Sequence, residues 1–168
     1  MIIAFTGHRP PKLIGGYDIY VGERFHVAFE WIQTQLTNSL KELQPTKAIS
    51  GMALGVDTWA AKICVELNIP FIAAIPFEGQ EKRWSKQDQN IYNQLLEKAE
   101  KVITVSNGGY KPSAYQIRDE WMVDNADMVL AVFDGSKSGT KNTIDYAKKV
   151  GKEVHIIDAN QRPIEMSL

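Results

Sequence analysis

Six short apolar runs recur along the chain: Ile2 to Thr6, Lys47 to Ser50, Phe71 to Ile75, Val102 to Val105, Met128 to Phe133 and Val154 to Ile157. They are continuous in character rather than strictly alternating, the mark of strands buried on both faces. Between them, apolar residues return at three-to-four spacing in Arg24 to Leu43, Gly55 to Asn68, Lys86 to Ala99, Ala114 to Ala126 and Thr140 to Val150, which predicts helices. Strand and helix alternate from end to end. Right-handed crossovers then yield an α/β, Rossmann-like, doubly wound fold with a mainly parallel sheet and helices on both faces. No repeat, low-complexity tract or linker interrupts the pattern, so residues 1–168 read as a single domain.

Charge changes the list of expected partners more than the fold. With 19 basic and 20 acidic residues the formal net charge is −1. No broad positive field exists to attract a polyanion, which argues against nucleic acid as a partner. Any anion site must be local. The single cysteine, Cys64, sits among Ala60, Ala61, Ile63, Val65 and Leu67, the setting of a buried, inert thiol. There is no spacing of a metal site, and no metal or cofactor is expected. Met1 to Phe5 lacks the basic flank and length of a signal peptide, and no apolar stretch reaches the roughly 18 residues that span a bilayer. A cytoplasmic protein without a membrane partner is the expectation. If Trp31, Trp59, Trp84 and Trp121 face outward, a homo-oligomer is the further expectation.

In open parallel sheets ligands sit beyond the carboxyl ends of the strands, near the switch in strand order, so the strand-to-helix loops carry the candidate chemistry. After the first strand comes Thr6-Gly7-His8-Arg9-Pro10-Pro11. Gly7 permits close backbone approach, Arg9 offers a planar fork for phosphate or carboxylate, and His8 can donate to a phosphate or move a proton. The plainer alternative is a surface ion pair for Arg9 and a loop cap for His8. The following segment to Val21, with Gly15, Gly16, Tyr17 and Tyr20, reads as a long loop over the site.

Ser50-Gly51-Met52-Ala53-Leu54-Gly55-Val56-Asp57 repeats the arrangement after the second strand. Asp57 either accepts from ribose hydroxyls or favours a helix start through the dipole. Beyond the third strand, Phe77, Glu78 and Gln80 can frame a base or sugar. After the fourth, either Arg118 and Asp119 pair with each other's neighbours on a solvated face, or Arg118 turns inward as a second anion contact. The fifth strand runs into Asp134-Gly135-Ser136-Lys137-Ser138-Gly139-Thr140, a turn that opens a helix and so gathers unpaired N–H groups at the positive end of a dipole. Neither the six-position dinucleotide glycine pattern nor the triphosphatase Gly-Lys-Ser/Thr pattern is present.

Together, Thr6 to Arg9, Ser50 to Asp57, Arg118 to Asp124 and the turn ending in Gly139-Thr140 resemble the YpsA-like branch of the SLOG superfamily, which also contains the Smf DNA-processing proteins and the LONELY GUY phosphoribohydrolases. The resemblance runs from Ile3 to about Ile157. It implies a Rossmann-like fold holding a nucleotide or nucleotide-derived molecule, with Gly51, Gly55, Gly139 and Thr140 near phosphate or ribose and Arg9 near a terminal anion. The hydrolase branch carries a supporting Glu three residues after its Gly-Thr; here that position is Thr143. Asp145 lies two residues further on, about 200° around the helix. Ser136-Lys137-Ser138 also replaces the doubled glycine of that branch.

Three readings follow. One is a module binding a nucleotide-derived small molecule through Gly7, His8, Arg9, Ser50, Gly51, Gly55, Asp57, Arg118, Gly135, Ser136, Ser138, Gly139 and Thr140. Another is an enzyme cleaving or transferring an N-glycosidic bond, with Glu78, Asp57 or Asp119 as the carboxylate. The third is a nucleic-acid or protein interaction module.

Overall fold

The computed structural model describes residues 1–9 and 23–163, and side chains from residue 28 onward in the second of these stretches. The long loop expected up to Val21 lies outside the described residues. Six strands form one fully parallel sheet: β1 (Ile2–Gly7), β2 (Lys47–Ser50), β3 (Phe71–Ile75), β4 (Lys101–Thr104), β5 (Met128–Phe133) and β6 (Glu153–Asp158). Helices α1 (Glu23–Leu43), α2 (Val56–Glu66), α3 (Lys86–Lys98), α4 (Ala114–Asp124) and α5 (Gly139–Lys149) alternate with them, and a 3-10 turn, Ala159–Gln161, follows β6. The spatial order is β4-β3-β2-β1-β5-β6. The chain therefore winds outward from β1 to one edge, crosses back through α4, and resumes at β5 beside β1.

Alternation of side chains along each strand assigns the helices to faces. Ile3 and Phe5 of β1 join Leu130 and Val132 of β5 in a core with Ile32, Leu36 and Leu40 of α1, Val56, Ala60 and Cys64 of α2, and Tyr92 and Leu95 of α3. Ala4, between Ile3 and Phe5, points the other way and packs with Met122 of α4, while Val129 and Ala131 pack with Val123 of α4 and Ile144 and Ala147 of α5. The doubly wound α/β fold expected from the hydrophobic pattern is the fold found. Trp31, Trp59 and Trp84 lie half-buried against the first core and Trp121 against the second. The central strand β5 is buried along nearly its whole length, which is why its sequence is so uniformly apolar.

Helix starts are specified locally. Ser138 caps α5, its hydroxyl accepting from the Lys141 N–H at 3.1 Å, and Ser85 caps α3 by accepting from the Asp88 N–H. At α2 the cap is Gly55, whose φ of 95° lies in the left-handed region and is open to glycine without strain. Burial raises the Cys64 thiol pKa to about 12, consistent with a packing role. No helix among the described residues is long and apolar enough to cross a membrane.

Candidate functional site

The switch in winding direction falls between β1 and β5, and the carboxyl end of β1 opens onto a cavity of about 430 Å³. It is lined by Phe5 to Arg9 at the end of β1 and just beyond it, Ala53 and Asp57 from the β2–α2 segment, Tyr115, Arg118 and Asp119 from α4, and Ser138, Gly139 and Thr140 at the start of α5. The volume lies in the range of small-molecule sites, and the position is the one parallel sheets favour for ligands.

Of the residues expected from sequence to hold a ligand, Gly7, His8, Arg9, Asp57, Arg118, Ser138, Gly139 and Thr140 line this cavity. Ser50, Gly51, Gly55, Gly135 and Ser136 stand outside its lining and shape the loops behind it. Ser50 is fully buried, its hydroxyl donating to the Asp57 carbonyl at 2.8 Å and accepting from the Met52 N–H at 3.1 Å. A Cβ on Gly51 would meet the Arg118 guanidinium carbon at 2.7 Å and Asp57 Oδ2 at 2.8 Å, so this glycine makes room for a side chain of the fold itself. Gly135, with φ of 90°, and Ser136 form the turn that delivers the chain to α5. Glu78 is exposed and apart from the lining, whereas Asp57 and Asp119, the two other candidate carboxylates, both face the cavity.

Arg118 is turned inward and 4% exposed. Instead of lying on a solvated face, it is engaged within the fold, donating from one terminal nitrogen to the carbonyls of Gly51 at 2.6 Å and Ala74 at 3.2 Å, and from Nε to Asp119 at 2.7 Å. One guanidinium thus ties together the β2–α2 loop, the end of β3 and α4. Gln80 adds to the same loop from below, its amide donating to the carbonyls of Gly51 and Met52 at 3.2 and 3.4 Å.

Asp57 lies beside this cation, yet burial dominates. Loss of solvent raises its carboxyl pKa from 3.8 to about 6, opposed by the charge of Arg118, reinforced by Asp119, and opposed further by the Ala53 N–H and by Arg9. That N–H points at Oδ2 from 3.4 Å. Asp57 is thus a carboxyl with its pKa pushed up to about 6 inside a cavity, with a second carboxylate, Asp119, close enough to influence it.

His8 is buried against the end of β5. Its Nε2 stands 2.9 Å from Asp134 Oδ1 and 3.1 Å from the Asp134 backbone nitrogen. A neutral ring accepts from that N–H, and an imidazolium donates to that carboxylate. Asp134 also accepts from the Ser136 N–H at 2.9 Å, so it couples the β1 loop to the turn before α5. Sequence reading missed this clasp, although an Asp followed by Gly at a strand end is the signature of such a turn. It also missed Tyr115, whose ring forms one wall and carries the Arg9 guanidinium over its face, 5.6 Å from the centroid.

Against known proteins, the family model described as YpsA, YspA SLOG family, matches residues 3–162. The chain belongs to the YpsA SLOG family. A relative within reach of sequence comparison is the SPbeta prophage-derived protein YoqJ of Bacillus subtilis (strain 168), 38% identical over 118 residues, covering 60% of this chain and 68% of YoqJ. Among solved structures, DNA processing protein A (DprA) of Helicobacter pylori superposes with a TM-score of 0.64 at 17% identity, over 95% of this chain and 69% of that one. DprA of Streptococcus pneumoniae superposes with a TM-score of 0.59 at 20% identity, over 92% of this chain but 49% of its own length. This family member therefore spans about half of the Streptococcus protein.

These structures share the fold. They also correct one expectation. Nucleic acid was set aside as a partner because charge is balanced over the whole chain, but the H. pylori protein of the same fold is described by its single-stranded DNA binding mode. Net charge averages over faces that a ligand never meets, and it does not exclude a strand held in one local groove.

Proposed function

We infer that the cavity at the β1–β5 switch binds a nucleotide-derived small molecule. The observation that carries this reading is that the first turn of α5 and the Gly7–Arg9 loop line one cavity at the switch point. The N–H groups at the start of α5 and the Arg9 fork suit the ligand's anionic group. Asp57 and Asp119 are acceptors suited to ribose hydroxyls, and membership of the SLOG family supports the same class of ligand. The reading is of binding, since Thr143 stands where the hydrolase branch carries its supporting carboxylate.

A second reading is favoured by the H. pylori neighbour: the same groove takes one nucleotide unit of a single strand of DNA. The test that separates the two is native mass spectrometry of freshly purified protein, followed by calorimetry with AMP, ADP-ribose and NAD and by fluorescence anisotropy with a labelled single-stranded oligonucleotide. A mononucleotide retained intact and bound in calorimetry supports the first reading. Salt-dependent binding of the oligonucleotide alone supports the second, and release of free base from any nucleotide over many turnovers would replace both with an enzyme.

A further inference from the structure

At the mouth of the cavity three aromatic rings meet. Phe77, buried just beyond β3, is packed edge-to-face by Tyr115 of α4, with centroids 5.4 Å apart and planes at 83°, and by Tyr110, at 5.5 Å and 81°. The two tyrosines are 6.5 Å apart. Phe77 thus acts as a fixed anvil that holds both tyrosine rings at set angles, while the tyrosines face outward: Tyr115 into the cavity and Tyr110, 66% exposed, beside it.

The loop that presents Tyr110 is built for that conformation. Gly108 and Gly109 have φ of 89° and 78°, and a Cβ at either would meet nothing within 4 Å. The glycines are required by backbone shape and not by crowding. One face of the Tyr115 ring carries a flat, delocalised group, the Arg9 guanidinium. A ring face that accepts a planar cation also accepts a planar heterocycle, and stacking on an aromatic face is the sequence-tolerant way proteins hold nucleobases.

We propose that Tyr115, braced by Phe77 and flanked by Tyr110, is a base-stacking subsite, where the base takes the ring face over which the Arg9 guanidinium lies and Arg9 turns to the ligand's anionic group. This rests on the reading of the cavity as a nucleotide site and extends it by naming where the base lies. The phosphate end occupies the α5 turn, and the base points toward α4 and the Tyr110 loop. A purine, with the larger ring face, is preferred over a pyrimidine. The base of a free nucleotide and a base of a DNA strand share this chemistry, and the measurement must tell them apart.

The experiment compares AMP, UMP, ribose 5-phosphate and a labelled single-stranded oligonucleotide on the wild type, Tyr115→Ala, Tyr115→Phe and Tyr110→Ala. Wild type is expected to bind AMP about 5- to 150-fold more tightly than ribose 5-phosphate, the span that one stacked base supplies. Tyr115→Ala removes that advantage and leaves ribose 5-phosphate affinity unchanged, and Tyr115→Phe retains it. Equal affinity for AMP and ribose 5-phosphate in the wild type would overturn the subsite while leaving the phosphate site standing. Equal loss for both ligands in Tyr115→Ala would also overturn it, because the ring would then be structural. If no mononucleotide or ribose phosphate binds, the parent reading fails with it. Oligonucleotide binding that drops in Tyr115→Ala and Tyr110→Ala, without AMP binding, assigns the same stacking surface to DNA and overturns the mononucleotide form.

Discussion

Asp57 makes a prediction about stability whose direction follows from the structure. Its carboxyl pKa is about 6 in the folded chain against 3.8 for the ordinary side chain. Below about pH 3.8 both folded and unfolded chains carry the proton, and above about 6 neither does. In between, the unfolded chain has released the proton and the folded chain still holds it, so stability falls as pH rises through this window. At 1.36 kcal/mol per tenfold change, the difference amounts to about 3 kcal/mol. For a domain whose total stability is of order 5–15 kcal/mol, that is a large fraction.

The measurement is a double difference. Asp57→Asn has nearly the same shape and can still accept from the Ala53 N–H, but it does not titrate. Urea denaturation of wild type and variant at pH 4 and pH 7.5 yields four stabilities. Whatever the asparagine does to packing, or to Arg118, cancels when the two differences are subtracted. The wild type should lose about 2 to 3 kcal/mol relative to the variant between the two pH values, a relative shift of roughly 4 to 12 °C in Tm at this chain length. An unchanged difference would refute the account of burial. A difference of opposite sign would show that the attraction of Arg118 outweighs desolvation and holds Asp57 ionised.

Other substitutions test the remaining parts. Gly7→Ala places a Cβ 2.5 Å from the Val56 side chain and should destabilise by about 1 to 3 kcal/mol in chemical denaturation; adding Val56→Ala should recover part of that loss, and no recovery would refute the steric explanation. A Cβ at Gly139 would meet nothing within 4 Å beyond its own helical turn, so Gly139→Val should fold within about 1 kcal/mol of wild type yet lose nucleotide affinity in calorimetry; retained affinity would remove the α5 turn from the site. Arg118→Lys keeps the charge but cannot serve Gly51, Ala74 and Asp119 at once, and a loss of at least about 2 kcal/mol in urea is expected.

The sheet was legible because its strands are buried on both faces and therefore continuous in apolar character, and because helices of ordinary length separate them. Errors fell at the ends. The second helix, expected to run from Gly55 to Asn68, stops at Glu66, since Asn68 takes a left-handed φ of 58° to turn toward β3. β4 starts at Lys101 rather than Val102, because pairing of Lys101 with Ile72 sets the boundary of an edge strand whose side chains are mostly exposed. At the site, the strand-end loops could be named from sequence, but their division of labour could not. Gly51 and Arg118 are 67 positions apart, and only folding shows that one exists to seat the other. Tyr115 was missed because a tyrosine in a polar helix resembles any surface residue until Phe77 and Arg9 are placed around it.

Thr143 stands beside a carboxylate supplied by a different helix. Its hydroxyl has one proton and two acceptors in reach, the Gly139 carbonyl at 2.9 Å and Asp119 Oδ2 at 3.3 Å. The nearer and better partner is the carbonyl, a bond within α5. Asp119 therefore brings a carboxylate from α4 to the neighbourhood where α5 lacks one, with Oδ1 held by the Arg118 guanidinium and Oδ2 weakly engaged. An oxygen so placed, on a carboxylate whose charge is shared with a buried cation, is a better acceptor for a sugar hydroxyl than a nucleophile or base. Asp57, close to its own titration point and beside the same cation, adds a group that can donate or accept. On the proposed reading, Asp119, held by Arg118, and Asp57 beside it would contact the sugar while the α5 turn and Arg9 take the anion, an allocation suited to holding a nucleotide rather than cleaving it.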